Sequence, residues 1–190
     1  MFTMKGLIRT CRNLAAGIMV AAAVMSFGQG AHAEPSEPEV PSTIAVPEGN
    51  KLFQVGHAVG VQIYSCNATS GGFGWAFVAP RADVYNDHGK LIMTHFGGPT
   101  WEARDGSAVV GRREAGVNVD PAAIDWLLLS ARSTSFGDDG DQLVGTTFIQ
   151  RTATSGGLAP DAEECNAGTA GSQVEVPYTA DYYFWKAKSS

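Results

Sequence analysis

The residues best equipped for chemistry lie between His95 and Ser107, where one imidazole, Trp101, Glu102, Arg104, Asp105 and Ser107 cluster around the Gly97-Gly98-Pro99 bend. An imidazole that titrates near neutral pH can act as a general base beside carboxylates, and an indole gives a small polar ligand a flat platform. On that basis His95, Glu102 and Asp105 are the candidate catalytic residues, and a small extracellular hydrolase or metal-dependent enzyme is one reading. The same residues have a plainer reading, in which Pro99 and the glycines shape a corner, Trp101 fills core, and Asp105 and Ser107 bond turn backbone. A nucleophile-base pair of Ser107 and His95 is weaker, because Asp105 and Ser107 flank a two-residue turn.

Other clusters are sparser. His57 and His95 with a carboxylate are the candidate metal ligands, with no close spacing to support them, and Asp87-His88 sits in a turn. The acidic loop Gly137-Asp138-Asp139-Gly140-Asp141 offers oxygen ligands suited to calcium but does not follow the twelve-residue helix-flanked pattern. In the aromatic run Tyr182-Tyr183-Phe184-Trp185, Tyr183 and Trp185 must face opposite to Tyr182 and Phe184. One set is then buried, and the other either contacts a ligand or is covered by the acidic N-terminal tether or a loop. His95, Trp101, Tyr178 and Tyr183 are accordingly the candidate ligand-binding residues. Asp181 is free to satisfy neighbouring backbone or to pair with Arg151. The chain has no Gly-x-Ser-x-Gly elbow, no His-Glu-x-x-His and no Gly-x-x-x-x-Gly-Lys phosphate loop, and no cofactor is expected.

The elements that must position these residues are strands. His57, Val59, Val61 and Ile63 alternate with smaller or more polar residues up to Cys66, and Phe73, Trp75 and Phe77 alternate with Gly74, Ala76 and Val78. Period two over this length is a half-buried strand. The cluster Asn86-Asp87-His88-Gly89 predicts a hairpin between residues 82–85 and 91–94, and Asp105-Gly106 predicts a second between 101–103 and 108–110. Asp120-Pro121-Ala122-Ala123 reads as one helical turn leading into the buried apolar strand 124–129, and residues 143–150 and 180–186 complete the set. The expectation is an all-β fold, an antiparallel sandwich or barrel of about eight or nine short strands with at most one short helical turn.

The ends of the chain carry other information. Lys5, Arg9 and Arg12 precede an apolar stretch over 14–27, and Ala31-His32-Ala33 follows it, the layout of a cleavable signal peptide over 1–33. At about fourteen residues the stretch is shorter than the roughly 20 that span a bilayer, so no membrane span is expected after cleavage. Removal would leave ten basic against nineteen acidic residues, a net charge of −9 in place of −6. Such an acidic domain excludes a nucleic-acid partner. Cys11 leaves with the signal, so Cys66 and Cys165 remain to form one disulfide in a periplasmic or secreted protein. Residues 34–47, rich in proline and glutamate, read as an extended linker, and 48–190 as a single β domain.

A succession of motifs brings a family into view: Val46-Pro47-Glu48-Gly49, Gln62-Ile63-Tyr64-Ser65-Cys66, His95-Phe96-Gly97-Gly98-Pro99-Thr100-Trp101 with Asp105-Gly106-Ser107, Trp126-Leu127-Leu128-Leu129, Gln150-Arg151 with Thr154-Ser155-Gly156-Gly157, and Val176-Pro177-Tyr178-Thr179-Ala180-Asp181-Tyr182-Tyr183-Phe184. Over about residues 46–187 the chain resembles the domain-of-unknown-function family numbered 3455. The resemblance implies a secreted bacterial or fungal protein whose activity is not established. Combined with the sparse polar machinery, it favours a non-catalytic β-domain of the cell envelope or medium whose partner is a small polar ligand, a glycan or an envelope protein.

Overall fold

The structure, a computed structural model, describes residues 35–189. The segment 1–33, expected to be a signal peptide, lies outside the described residues. Eight strands run Asn50–Thr69 (β1), Gly72–Tyr85 (β2), Leu91–Phe96 (β3), Thr100–Ala103 (β4), Ala108–Val117 (β5), Trp126–Ser135 (β6), Thr146–Gly156 (β7) and Gln173–Ala187 (β8). Each pairs antiparallel with the next, and β8 pairs back onto β1, so the sheet closes into an up-and-down barrel. Closure leaves no sheet edge unpaired, which distinguishes this arrangement from a sandwich. Both expected hairpins form, at 86–90 with Asn86 N–H donating to the Lys90 carbonyl, and at 104–107 with Gly106 N–H donating to that of Ala103.

Helical structure is confined to two single 3-10 turns, Ser42–Ile44 and Ala162–Glu164. The helical turn expected at Asp120–Ala123 is instead an isolated turn, closed by Ala123 N–H on the Asp120 carbonyl at 3.0 Å and by Asp120 Oδ1 accepting from Ala122 N–H at 2.8 Å. The proline-plus-cap signature serves a short aspartate turn as well as a helix.

The inward-facing set on β1 is the opposite of the one that hydrophobicity suggests. Ala58, Gln62 and Tyr64 are buried, whereas Val59 is 58 % exposed and His57 projects from the outer face. Where β1 crosses β2, a side chain added to Gly60 would begin 2.2 Å from the Arg81 carbonyl oxygen and 2.4 Å from the Ala82 Cβ. The wall admits only small residues there, so the β-branched ones turn outward. The interior packs Val84, Met93, Trp101, Val109, Leu129, Ile149, Tyr182 and Phe184 into one cluster.

One end of the barrel is closed by polar bonds between loops. Asp105 Oδ1 accepts from the Ser107 N–H at 2.9 Å and from its hydroxyl at 2.6 Å, while Asp105 Oδ2 accepts from Gln142 N–H at 2.8 Å. Ser107 Oγ accepts in turn from Leu143 N–H, and the Leu143 side chain is fully buried in the core cluster. At the other end the β1–β2 hairpin runs past the barrel and is tied to the long β7–β8 loop. The expected Cys66–Cys165 disulfide makes that tie, and Trp75 Nε1 donates to the Asp161 carbonyl at 3.2 Å beside it.

Residues 35–47 do not all behave as a free linker. Ile44 is fully buried, and its carbonyl accepts from Gln150 Nε2 at 2.8 Å, while Gln150 Oε1 accepts from Trp185 Nε1 at 3.0 Å. Gln150 and Trp185 alternate with the inward Ile149 and Phe184, so this relay fastens the N-terminal segment to the outer wall. Proline and glutamate content signals a stretch that makes no core of its own, but it carries one isoleucine that an existing apolar wall can bury.

Candidate functional site

The open end holds a pocket of about 510 Å³. Its walls are Tyr64, Trp101, Leu127, Leu129 and Tyr182, its loop-borne lining includes Pro99 and Ile124, and its polar members include Gln62, His95, Arg113 and Arg151. Strand alternation accounts for the set: His95 pairs with Trp101 across β3 and β4, and Leu127 pairs with Arg151, which pairs with Tyr182, across β6, β7 and β8. Phe77, Val78 and Leu158, each between 41 % and 54 % exposed, bring apolar surface to the same pocket from the hairpin and the β7–β8 loop. An eight-stranded barrel is just wide enough either to fill with side chains or to hold one small ligand. This one is filled by side chains at its closed end and leaves a pocket at its mouth.

His95 is 3 % exposed, stacked on Trp101 with ring centroids 4.1 Å apart and 11° between planes, and edge-on to Tyr182. Its Nδ1 faces the Thr100 carbonyl at 2.9 Å, a contact that fixes the proton on Nδ1 and leaves Nε2 as an acceptor. Burial pushes the imidazole down to about 3, with the Thr100 bond opposing that shift and the positive charge of Arg151 adding to it. The ring is therefore neutral at physiological pH. Burial also raises the phenols of Tyr178 and Tyr182, whose hydroxyls lie 3.3 Å apart, and the Arg151 charge opposes both shifts.

The three candidate catalytic residues do not converge. His95 faces the interior, Glu102 is exposed on the outer wall between the inward Trp101 and Ala103, and Asp105 is consumed by the closed-end turn. Hydrogen bonds from Ser107 and Gln142 hold the Asp105 carboxyl below its ordinary range, so its perturbation is that of a structural turn. Ser107 is likewise spent on that turn and not on His95. The candidate metal pair is divided by the barrel wall, since His57 is outside and His95 inside. His57 lies between two carboxylates, Nδ1 to Asp181 and Nε2 to Asp87, each at 2.7 Å, which raise its pKa. Among the described residues no group of three or more His, Cys, Asp or Glu side chains is arranged to hold a metal ion, the His57 trio included. Asp139 in the acidic loop donates its backbone N–H to the Asp105 carbonyl, which packs that loop onto the closed end.

Of the candidate ligand-binding residues, His95 and Trp101 line the pocket, Tyr178 is buried outside its lining with its hydroxyl 3.3 Å from that of Tyr182, and Tyr183 lies on the outer wall. Asp181 pairs with His57, not with Arg151, because 151 and 181 project to opposite faces. Arg151 bonds the Asp125 carbonyl, from Nε at 3.0 Å and from a terminal nitrogen at 2.8 Å. Gln62, Tyr64, Arg113 and Arg151 were not singled out from the sequence as site residues. The available signal was polarity at alternate positions of β1 and β7, legible only once the inward parity is known.

Fold and site together define a closed antiparallel barrel with a packed floor and an apolar pocket at its mouth. The chain belongs to the family described as protein of unknown function (DUF3455), whose model matches residues 47–186. No curated protein and no solved structure matches it.

Proposed function

We propose that this protein is a non-catalytic binding domain, exported after removal of residues 1–33, that takes a small, largely apolar molecule into the mouth of its barrel. The observation that carries the reading is the pocket of about 510 Å³ bounded by Trp101, Tyr182, Leu127 and Leu129. That volume lies within the range of small-molecule sites, which are mostly apolar with a few convergent polar groups. The exposed Phe77, Val78 and Leu158 extend the apolar lining of the pocket toward solvent. A buried, neutral His95 anchored to a backbone carbonyl serves as wall and acceptor and not as a general base. The disulfide agrees with export, because such bonds persist in oxidising compartments.

The test is titration with N-phenyl-1-naphthylamine, an uncharged fluorophore that brightens in apolar surroundings. Saturable one-to-one brightening, abolished by Leu127→Phe in a variant with an unchanged circular dichroism spectrum, is the expected result. No brightening in the parent protein, or brightening indifferent to Leu127→Phe, would contradict the reading.

A further inference from the structure

Two buried donors in this pocket have no partner. Gln62 is 3 % exposed and Trp101 1 % exposed, and neither Gln62 Nε2 nor Trp101 Nε1 makes a hydrogen bond among the described residues. An unpaired buried N–H is costly, so two of them on residues that line one pocket point to an acceptor the protein itself does not supply.

A third feature gives that acceptor a charge. Arg113 is neutralised by the Asp125 carboxylate at 3.1 Å, but the half-buried Arg151 belongs to none of the salt bridges of the described residues and rests on a neutral carbonyl. Its positive charge acts on Tyr64, His95 and Tyr182, which line the pocket, and on the buried Tyr178 next to Tyr182. A half-buried cation that lines the same pocket as unpaired donors is complementary to an anionic oxygen, and charge-assisted bonds from guanidinium to carboxylate are the strong member of the hydrogen-bond series.

Building on the binding reading above, we infer that the ligand is an apolar-bodied monocarboxylate, its carboxylate received by Arg151 with Gln62 and Trp101 and its body lying against Tyr64, Leu127 and Leu129. The donor set contains no second uncompensated cation, so a dicarboxylate or a phosphate would leave charge unpaired in an apolar pocket. Arg151 selects the head group, while the walls select size.

Competition separates this inference from the reading on which it rests. N-phenyl-1-naphthylamine bound to the full-length mature protein is displaced by octanoate and, separately, by octan-1-ol, above the pKa of the acid. The alcohol is the more hydrophobic of the two, so a site that reads only apolar surface favours it. The expected result is displacement by octanoate at about ten-fold lower concentration than by the alcohol, with the ratio falling to near unity in Arg151→Gln. Gln62→Leu, which leaves the anchor between Arg151 and Asp125 intact, should narrow the ratio as well, so the inference does not depend on one variant folding. Equal displacement, or preference for the alcohol, in the parent protein overturns the carboxylate inference and leaves the binding reading standing. Failure of the fluorophore to bind removes the binding reading and this inference with it.

Discussion

His95 and Trp101 are register partners on adjacent strands whose rings stack at 4.1 Å, and the imidazole completes the indole wall with its Nδ1 proton given to the Thr100 carbonyl. The polar residue that looked most like a catalyst thereby becomes a neutral part of the pocket. Folded, it resists protonation until about pH 3, whereas the unfolded chain takes up that proton near 6.5. Between those values the unfolded state binds more protons, so this residue removes stability as pH falls through the window. NMR titration should find the His95 ring signals unchanged from pH 8 to pH 5, and urea midpoints should drop from pH 7 toward pH 4. A His95 signal titrating near 6.5 would contradict the burial argument.

His57 carries the opposite sign. Asp87 and Asp181 raise its pKa, so its contribution is fully present below about 6.5 and is lost as pH rises through the raised folded value. With the ring partly exposed, the effect is a small one on stability. His57→Gln should leave ligand binding unchanged and should flatten the alkaline side of the stability profile, measured by urea unfolding across pH 6 to 9.

Asp105 and Ser107 make a structural prediction that a catalytic role would not. Ser107→Ala removes a donor to Asp105 and leaves Leu143 N–H without its acceptor, so it should cost about 1 to 3 kcal/mol in urea unfolding. Binding at the far mouth of the barrel should be preserved. Loss of binding with unchanged stability would place this pair in the site after all.

The Cys66–Cys165 bridge joins the protruding hairpin to the β7–β8 loop across a sequence separation of 99 residues. Loop-closure entropy assigns such a link about 4 to 5 kcal/mol, so the double variant Cys66→Ala/Cys165→Ala should unfold at markedly lower urea concentration. Thiol titration of the denatured, unreduced mature protein should find no free cysteine, and two reactive thiols would contradict the bridge.

Much of this architecture is written in local sequence. Asn86–Gly89 and Asp105-Gly106 specify their hairpins through turn chemistry that tertiary context does not overrule, and the run Leu127-Leu128-Leu129 marks a strand buried on both faces. The phase of β1 was not legible, because Gly60 and Ala58 occupy the interior for reasons of space, and Val59 between them looks like core. Without that phase, Gln62 could not be assigned to the interior, nor Arg151 to its pocket. The seating of Ile44 was hidden for a different reason: the turn that carries it meets β5 and β6, and its carbonyl is held by Gln150, 106 residues away. Ile44→Ala should test that contact, costing about 2 kcal/mol with an altered Trp185 indole resonance.

The most direct measurement follows the indole N–H resonances by NMR as N-phenyl-1-naphthylamine is added. Trp101 lines the pocket and Trp185 lies on the outer wall, bonded to Gln150. A large shift of the Trp101 indole and the Gln62 side-chain amide, with Trp185 unmoved, is the predicted result. Shifts confined to Trp185 and its neighbours, or none at saturating fluorophore, would contradict binding inside the barrel.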